Sequence, residues 1–189
     1  LLGFNAVRAD QFVQYAHRVH HVSIHALWLI LALLLLVMLF GQRRDDGRRQ
    51  AILDAAAIWG LLVTILTELL GLFSALTKLG CGTAWVSVDL VLLALLWRVR
   101  NRVRQERIVG PVLARPDQTW VLATFLIVAI TGLIALVAAP NSWDGLTYHL
   151  GRVVHWVQNG HVGHYPTNNL RQLWMNPLAE YFILHFYLL

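Results

Sequence analysis

Charge is what this chain has least of: Asp, Glu, Lys and Arg make up 13% of its 189 residues, about half the roughly 25% of an ordinary soluble domain. Hydrophobic residues make up 58%. That balance excludes an ordinary soluble domain and indicates an integral membrane protein. Cysteine is nearly absent, and the single Cys81 excludes an internal disulfide and reads as a small apolar residue. The chain opens on Leu1-Leu2 without methionine and stops inside the apolar run Phe182 to Leu189, which falls short of the roughly 20 residues that a spanning helix needs. It therefore reads as a fragment, expected to be inactive alone, and supports no statement about targeting.

What the chain has is long apolar runs. Val22 to Phe40, Ile52 to Leu76, Thr83 to Trp97 and Thr119 to Ala139 approach spanning length, and a fifth starts near Pro177. Thr83 to Trp97 carries Asp89 and needs Cys81, Gly82 or the first arginines beyond it to complete its length. The expected fold is all-α: a polytopic membrane protein with four transmembrane helices, a truncated fifth, and an amphipathic interfacial helix in the outer loop after the fourth. Residues 1–118 form one part, membrane helices with basic loops, and 119–189 a second.

Arginine sets the orientation. Arg43, Arg44, Arg48 and Arg49 lie between the first two runs, and Arg98, Arg100, Arg102, Arg104, Arg107 and Arg115 follow the third. Both loops are expected in the cytoplasm, and two spans between them put them on one side without forcing. The segment 140–176 then lies outside the cytoplasm, on the outer face of an inner or plasma membrane. The net charge of +5 is explained by these topology signals, with no nucleic-acid partner implied. Membrane lipids are the partner that the basic loops suit, at roughly 1 kcal/mol per arginine near anionic headgroups. Gly110-Pro111 and Arg115-Pro116-Asp117 mark a helix-breaking joint before the fourth run.

Polar groups within apolar runs need a physical reason. Glu68 lies in the second run and Asp89 in the third, where an ionised carboxylate costs about 2.5–3.5 kcal/mol on insertion scales. The simplest expectation is structural pairing, with each other or with Lys78, across an outer turn at Thr77 to Gly82; the alternative is a path for protons or substrate. His17, His21 and His25 recur every four residues beside His20, a stripe that suits either an interfacial helix or a haem site.

The densest polar group follows the fourth run. From Trp143 to Gln158 the pattern is helical, with Leu146, Leu150, Val153 and Val157 on one face and Asp144, Tyr148, Arg152 and His155 on another. Ser142 precedes it as a cap, Asp144 suits the positive end of the helix dipole, and Asn159-Gly160 ends it. The expected placement is on the outer surface, apolar face in lipid and polar face toward a lumen. His161 and His164 sit three apart across Gly163, which suits a substrate loop better than a metal site, because zinc needs three or four ligands.

Asn141-Ser-Trp-Asp-Gly-Leu-Thr-Tyr-His149, Arg152, His155-Trp156, His164-Tyr165-Pro166-Thr167 and Asn176-Pro177-Leu-Ala-Glu180 together resemble the first external loop of GT-C membrane glycosyltransferases. That superfamily includes the protein O-mannosyltransferases and the lipid A aminoarabinose transferases. The resemblance spans roughly residues 119–189, which would be the start of a catalytic module. Three spans precede the loop here, and Gly145 follows Asp144 where a second acid is often found. The resemblance implies an inverting, hexosyltransferase-like enzyme that moves a sugar from a polyprenyl-phosphate donor to an acceptor hydroxyl of unassigned identity. Asp144 would be the catalytic base. Arg152 and Arg171 would contact phosphate, Tyr148, His149, His155, His164 and Tyr165 would orient substrate, and Glu180 would be a second acid. These residues fix no cofactor, and a divalent ion beside Asp144 is left open for the complete protein. The competing reading from another class is a transporter or proton-conducting protein that uses Glu68, Asp89 and Asp144; a haem-binding scaffold built on the N-terminal histidines is the third.

Overall fold

The computed structural model describes residues 24–42, 48–103, 115–137 and 142–189. Among these residues the architecture is all-α, with no strand. Helices α1 (Leu27–Gly41), α2 (Arg48–Leu72), α3 (Lys78–Val103) and α4 (Arg115–Val137) are followed by a π turn, Gly145–His149, that runs directly into α5 (Leu150–Asn159). A single helical turn, α6 (Arg171–Trp174), and α7 (Leu178–Leu188) complete the chain. His17, His20 and His21, together with Arg43, Arg44, Arg104, Arg107 and Gly110-Pro111, lie outside the described residues.

Helix α1 lies against both α2 and α3 and buries Leu29, Ala32, Leu35, Leu36 and Leu39. Buried positions recur at steps of four on its neighbours: Ala51, Ala55, Val63 and Thr67 on α2, and Cys81, Trp85 and Asp89 on α3. Side chains four apart form one ridge along a helix, and small residues such as Ala51 and Ala55 let the axes approach. The Trp59 indole N–H ties α2 to α1 by donating to the Leu29 carbonyl at 3.0 Å.

Two helices are long and apolar enough to cross a membrane, Arg49–Leu72 and Lys78–Asn101, 24 residues each. Leu27–Gly41, Thr119–Ile134 and Leu178–Leu188 are apolar but shorter. The run expected to be weakest, Thr83 to Trp97, lies within α3, which gains length from Lys78 to Gly82 at one end and the first arginines at the other.

The outer turn falls earlier than the sequence suggested. The chain reverses at 73–77, with Ser74 at φ 51°, and Thr77 starts α3 by accepting the Gly80 N–H on Oγ1 at 3.1 Å. Thr77 to Gly82 is thus the start of a helix. This also prevents Glu68 from meeting Asp89, since Glu68 lies four residues before the end of α2 and Asp89 eleven into α3. At 1.5 Å per residue their depths differ by roughly 10 Å. Glu68 instead accepts a hydrogen bond from the Tyr181 hydroxyl, Lys78 is exposed, and neither Asp89 oxygen has a hydrogen-bond partner among the described residues.

The end of α5 reaches the end of the bundle that carries this turn, while α7 extends along α2 as far as Trp59, whose ring centroid lies 4.9 Å from that of Phe182. The Leu76 N–H donates to the Gly160 carbonyl at 3.2 Å, so α5 stops beside the α2–α3 reversal. Arg98 and Arg100 are exposed near the other end of α3. Helix α7 lies across α2 and α3 and is held by a buried polar node centred on His185. The Trp85 indole N–H donates to His185 Nδ1 at 2.8 Å, and Nε2 lies 2.8 Å from Thr67 Oγ1. Because that hydroxyl already donates to the Val63 carbonyl at 2.7 Å, it accepts from Nε2–H, which fixes a neutral imidazole.

Helix α5 ends as its sequence indicates, on Gly160 at φ 72°. A Cβ there would also lie 3.1 Å from the Ser74 carbonyl oxygen. Gly160→Ala is expected to cost about 1–2 kcal/mol for the left-handed backbone alone. Unfolding in detergent micelles, compared with wild type, measures it.

Candidate functional site

The Trp143-to-Gln158 helix forms, with a local widening that the sequence did not announce. Ser142 caps it, accepting the Gly145 N–H on Oγ at 3.1 Å, and the Leu150 N–H reaches back to the Gly145 carbonyl, five residues away. Such π turns are rare and concentrate at functional sites. Its surroundings differ from the expected lipid-and-lumen arrangement. Leu150, Val153, Val154 and Trp156 are buried, and α5 packs on α7. Tyr148 and Arg152, expected on the polar face, are buried as well. The reason is that α7 covers α5, with the Tyr181 ring 5.5 Å from that of Trp156, while α6 supplies carbonyls to Arg152.

Arg152 is 2% exposed and fully engaged. Its Nε donates to the Gln172 carbonyl at 2.7 Å, Nη1 to Met175 at 3.0 Å and Nη2 to Arg171 at 2.8 Å. The same Nη1 lies 2.9 Å from Oε1 of Glu180, whose side chain is fully buried, and the guanidinium carbon sits 5.6 Å from the Trp156 ring centroid. Arg152, expected to contact phosphate, here anchors the 171–175 segment to α5 and pairs with Glu180. His149 completes the cluster, with Nδ1 3.2 Å from the same Glu180 oxygen and its ring 4.1 Å from the ring of buried Tyr148.

Gln172 organises the loop beside this cluster. Its Oε1 accepts from the Tyr165 hydroxyl at 3.1 Å and Thr167 Oγ1 at 2.9 Å, while Nε2 donates to the Thr147 carbonyl at 2.7 Å. The approach depends on Gly151, where a Cβ would lie 2.8 Å from Gln172 Nε2. Nothing in the sequence singled out Gln172, because a glutamine between Arg171 and Trp174 carries no motif.

Asp144 and Arg171 stand apart from the buried cluster, at the surface. Their side chains are 58% and 60% exposed, with Arg171 Nη1 3.6 Å from Asp144 Oδ1. Trp143 and Trp174, beside them in sequence, are also exposed. His164 is exposed, and His161 Nδ1 accepts the Gly163 N–H at 2.9 Å in a tight turn. Among the described residues no three His, Cys, Asp or Glu side chains are grouped as metal ligands. Glu68, Asp89 and Asp144 do not converge on one path, since Glu68 is bound to Tyr181, Asp89 is buried on α3 and Asp144 is at the surface.

His155 stacks on Tyr165, ring centroids 4.0 Å apart and planes 24° from parallel. Burial lowers its affinity for a proton below the ordinary value of 6.5. Burial likewise pushes the Tyr165 hydroxyl up to about 12, with nearby Arg152 opposing the rise and Glu180 adding to it. For His155 the unfolded chain binds more protons between the lowered and ordinary values, so stability falls as pH drops from 6.5 through that window. Denaturation midpoints between pH 7.5 and pH 5 are expected to decline, and His155→Phe to flatten the decline.

No protein-family model matches this chain, and no curated protein or solved structure shows significant similarity to it.

Proposed function

We propose that the chain is part of a polytopic membrane glycosyltransferase that moves a sugar from a polyprenyl-phosphate donor to an acceptor hydroxyl outside the cytoplasm. On this reading α1, α2, α3 and α4 are four spans of an inner or plasma membrane, and α7 begins a fifth. The exposure of every described side chain from Thr119 to Ile134 supports lipid contact for α4, since a helix apolar on all sides suits hydrocarbon. The observation that carries the proposal is the exposed Asp144–Arg171 pair, whose aspartate follows α4 in sequence. A carboxylate can take the acceptor's proton while a guanidinium stabilises the departing phosphate, the two requirements of the transfer. Purified full-length protein in lipid nanodiscs, given a radiolabelled polyprenyl-phosphate sugar and a panel of hydroxyl acceptors, is expected to release label from the donor; absence of any release overturns the proposal.

A further inference from the structure

Beneath Asp144 the chain builds an acid–base arrangement that a scaffold does not require. His149 Nδ1 is buried and faces Glu180 Oε1 at 3.2 Å, while the side chain as a whole is 30% exposed. Glu180 is fully buried beside Arg152 Nη1 at 2.9 Å, yet neither of its oxygens nor His149 Nδ1 completes an aligned hydrogen bond. A buried carboxylate with unused acceptor capacity next to an imidazole favours the Nδ1–H tautomer and leaves Nε2 bare as a proton acceptor. The π turn adds the second half of the geometry. Asp144 precedes it and His149 ends it, and with backbone bonding from i to i+5 these residues lie about as near around the axis as residues four apart in an α-helix.

We propose that His149, positioned by Glu180 and Arg152, receives the proton that Asp144 takes from the acceptor. This rests on the transferase reading for the identity of the proton's source. The acceptor O–H bond breaks, and the oxygen's electron pair forms the bond to the anomeric carbon. The bond from that carbon to the phosphate oxygen breaks, its pair leaving with the phosphate. The proton passes to Asp144 and then, through a bridging water, to His149 Nε2, and the imidazolium so formed is stabilised by Glu180. Loss of that proton to bulk water resets the site.

Full-length protein with ¹⁵N-labelled histidine tests the arrangement directly. Wild-type His149 is expected to show the Nδ1–H, bare-Nε2 signature, and Glu180→Gln to weaken it; an Nε2–H tautomer in the wild type overturns the proposal. In the transfer assay His149→Gln is expected to lower kcat about 100-fold with KM within about twofold, and exogenous imidazole to restore part of the rate in His149→Ala. Wild-type kcat in His149→Gln overturns the relay. Should the wild type transfer no sugar at all, the transferase reading fails with the relay that depends on it, while the tautomer measurement still reports whether the His149–Glu180 pair exists.

Discussion

Replacing Arg152 by methionine is expected to destabilise the packing of α5 on α7 by about 3–5 kcal/mol, because the change strands a fully buried carboxylate. Methionine matches much of the arginine's volume, so lost packing is minor and the effect reports the charge. The guanidinium also serves the carbonyls of Arg171, Gln172 and Met175, and all three lose a donor. A double variant, Arg152→Met with Glu180→Leu, is expected to recover a substantial part of the loss, since removing both members of a buried ion pair is often close to neutral. Reversible unfolding in mixed micelles, read as a double-mutant cycle, measures the coupling. A single-variant cost below about 1 kcal/mol would contradict the role assigned to Arg152.

Asp144→Asn is expected to behave oppositely, with little change in stability and a large loss of turnover. An exposed ion pair is worth about 0–1 kcal/mol, so losing the 3.6 Å contact with Arg171 leaves folding nearly untouched. Asparagine keeps the shape and removes the base, and a general base contributes roughly 10²–10⁴ in rate. The transfer assay is expected to show that loss in kcat, with the unfolding midpoint held near wild type. Full turnover in the variant would remove Asp144 from the chemistry.

The contrast between these two residues locates what the sequence could and could not convey. Apolar runs and local signals were readable, because a helix is written in neighbouring residues: Ser142 caps, Gly160 stops, and α2 and α3 occupy their long runs. Asp144 and Arg171 were legible as polar residues close together in sequence beyond a span. Periodicity also placed Arg152 and Tyr148 on the polar face, but it carries no information about what covers that face. Burial of Arg152 was decided by the carbonyls of 171–175 and by Glu180, twenty-eight residues away, which one-dimensional spacing cannot pair. The Glu68–Asp89 expectation failed for a related reason: placing the outer turn a few residues late brings their depths closer together than they are. The π turn had no sequence signal to find.

The hydrogen bond from Leu76 to Gly160 ties the tip of the α2–α3 hairpin to the end of α5. Any motion that draws the end of α5 away from the bundle must carry the hairpin tip with it or break that tether.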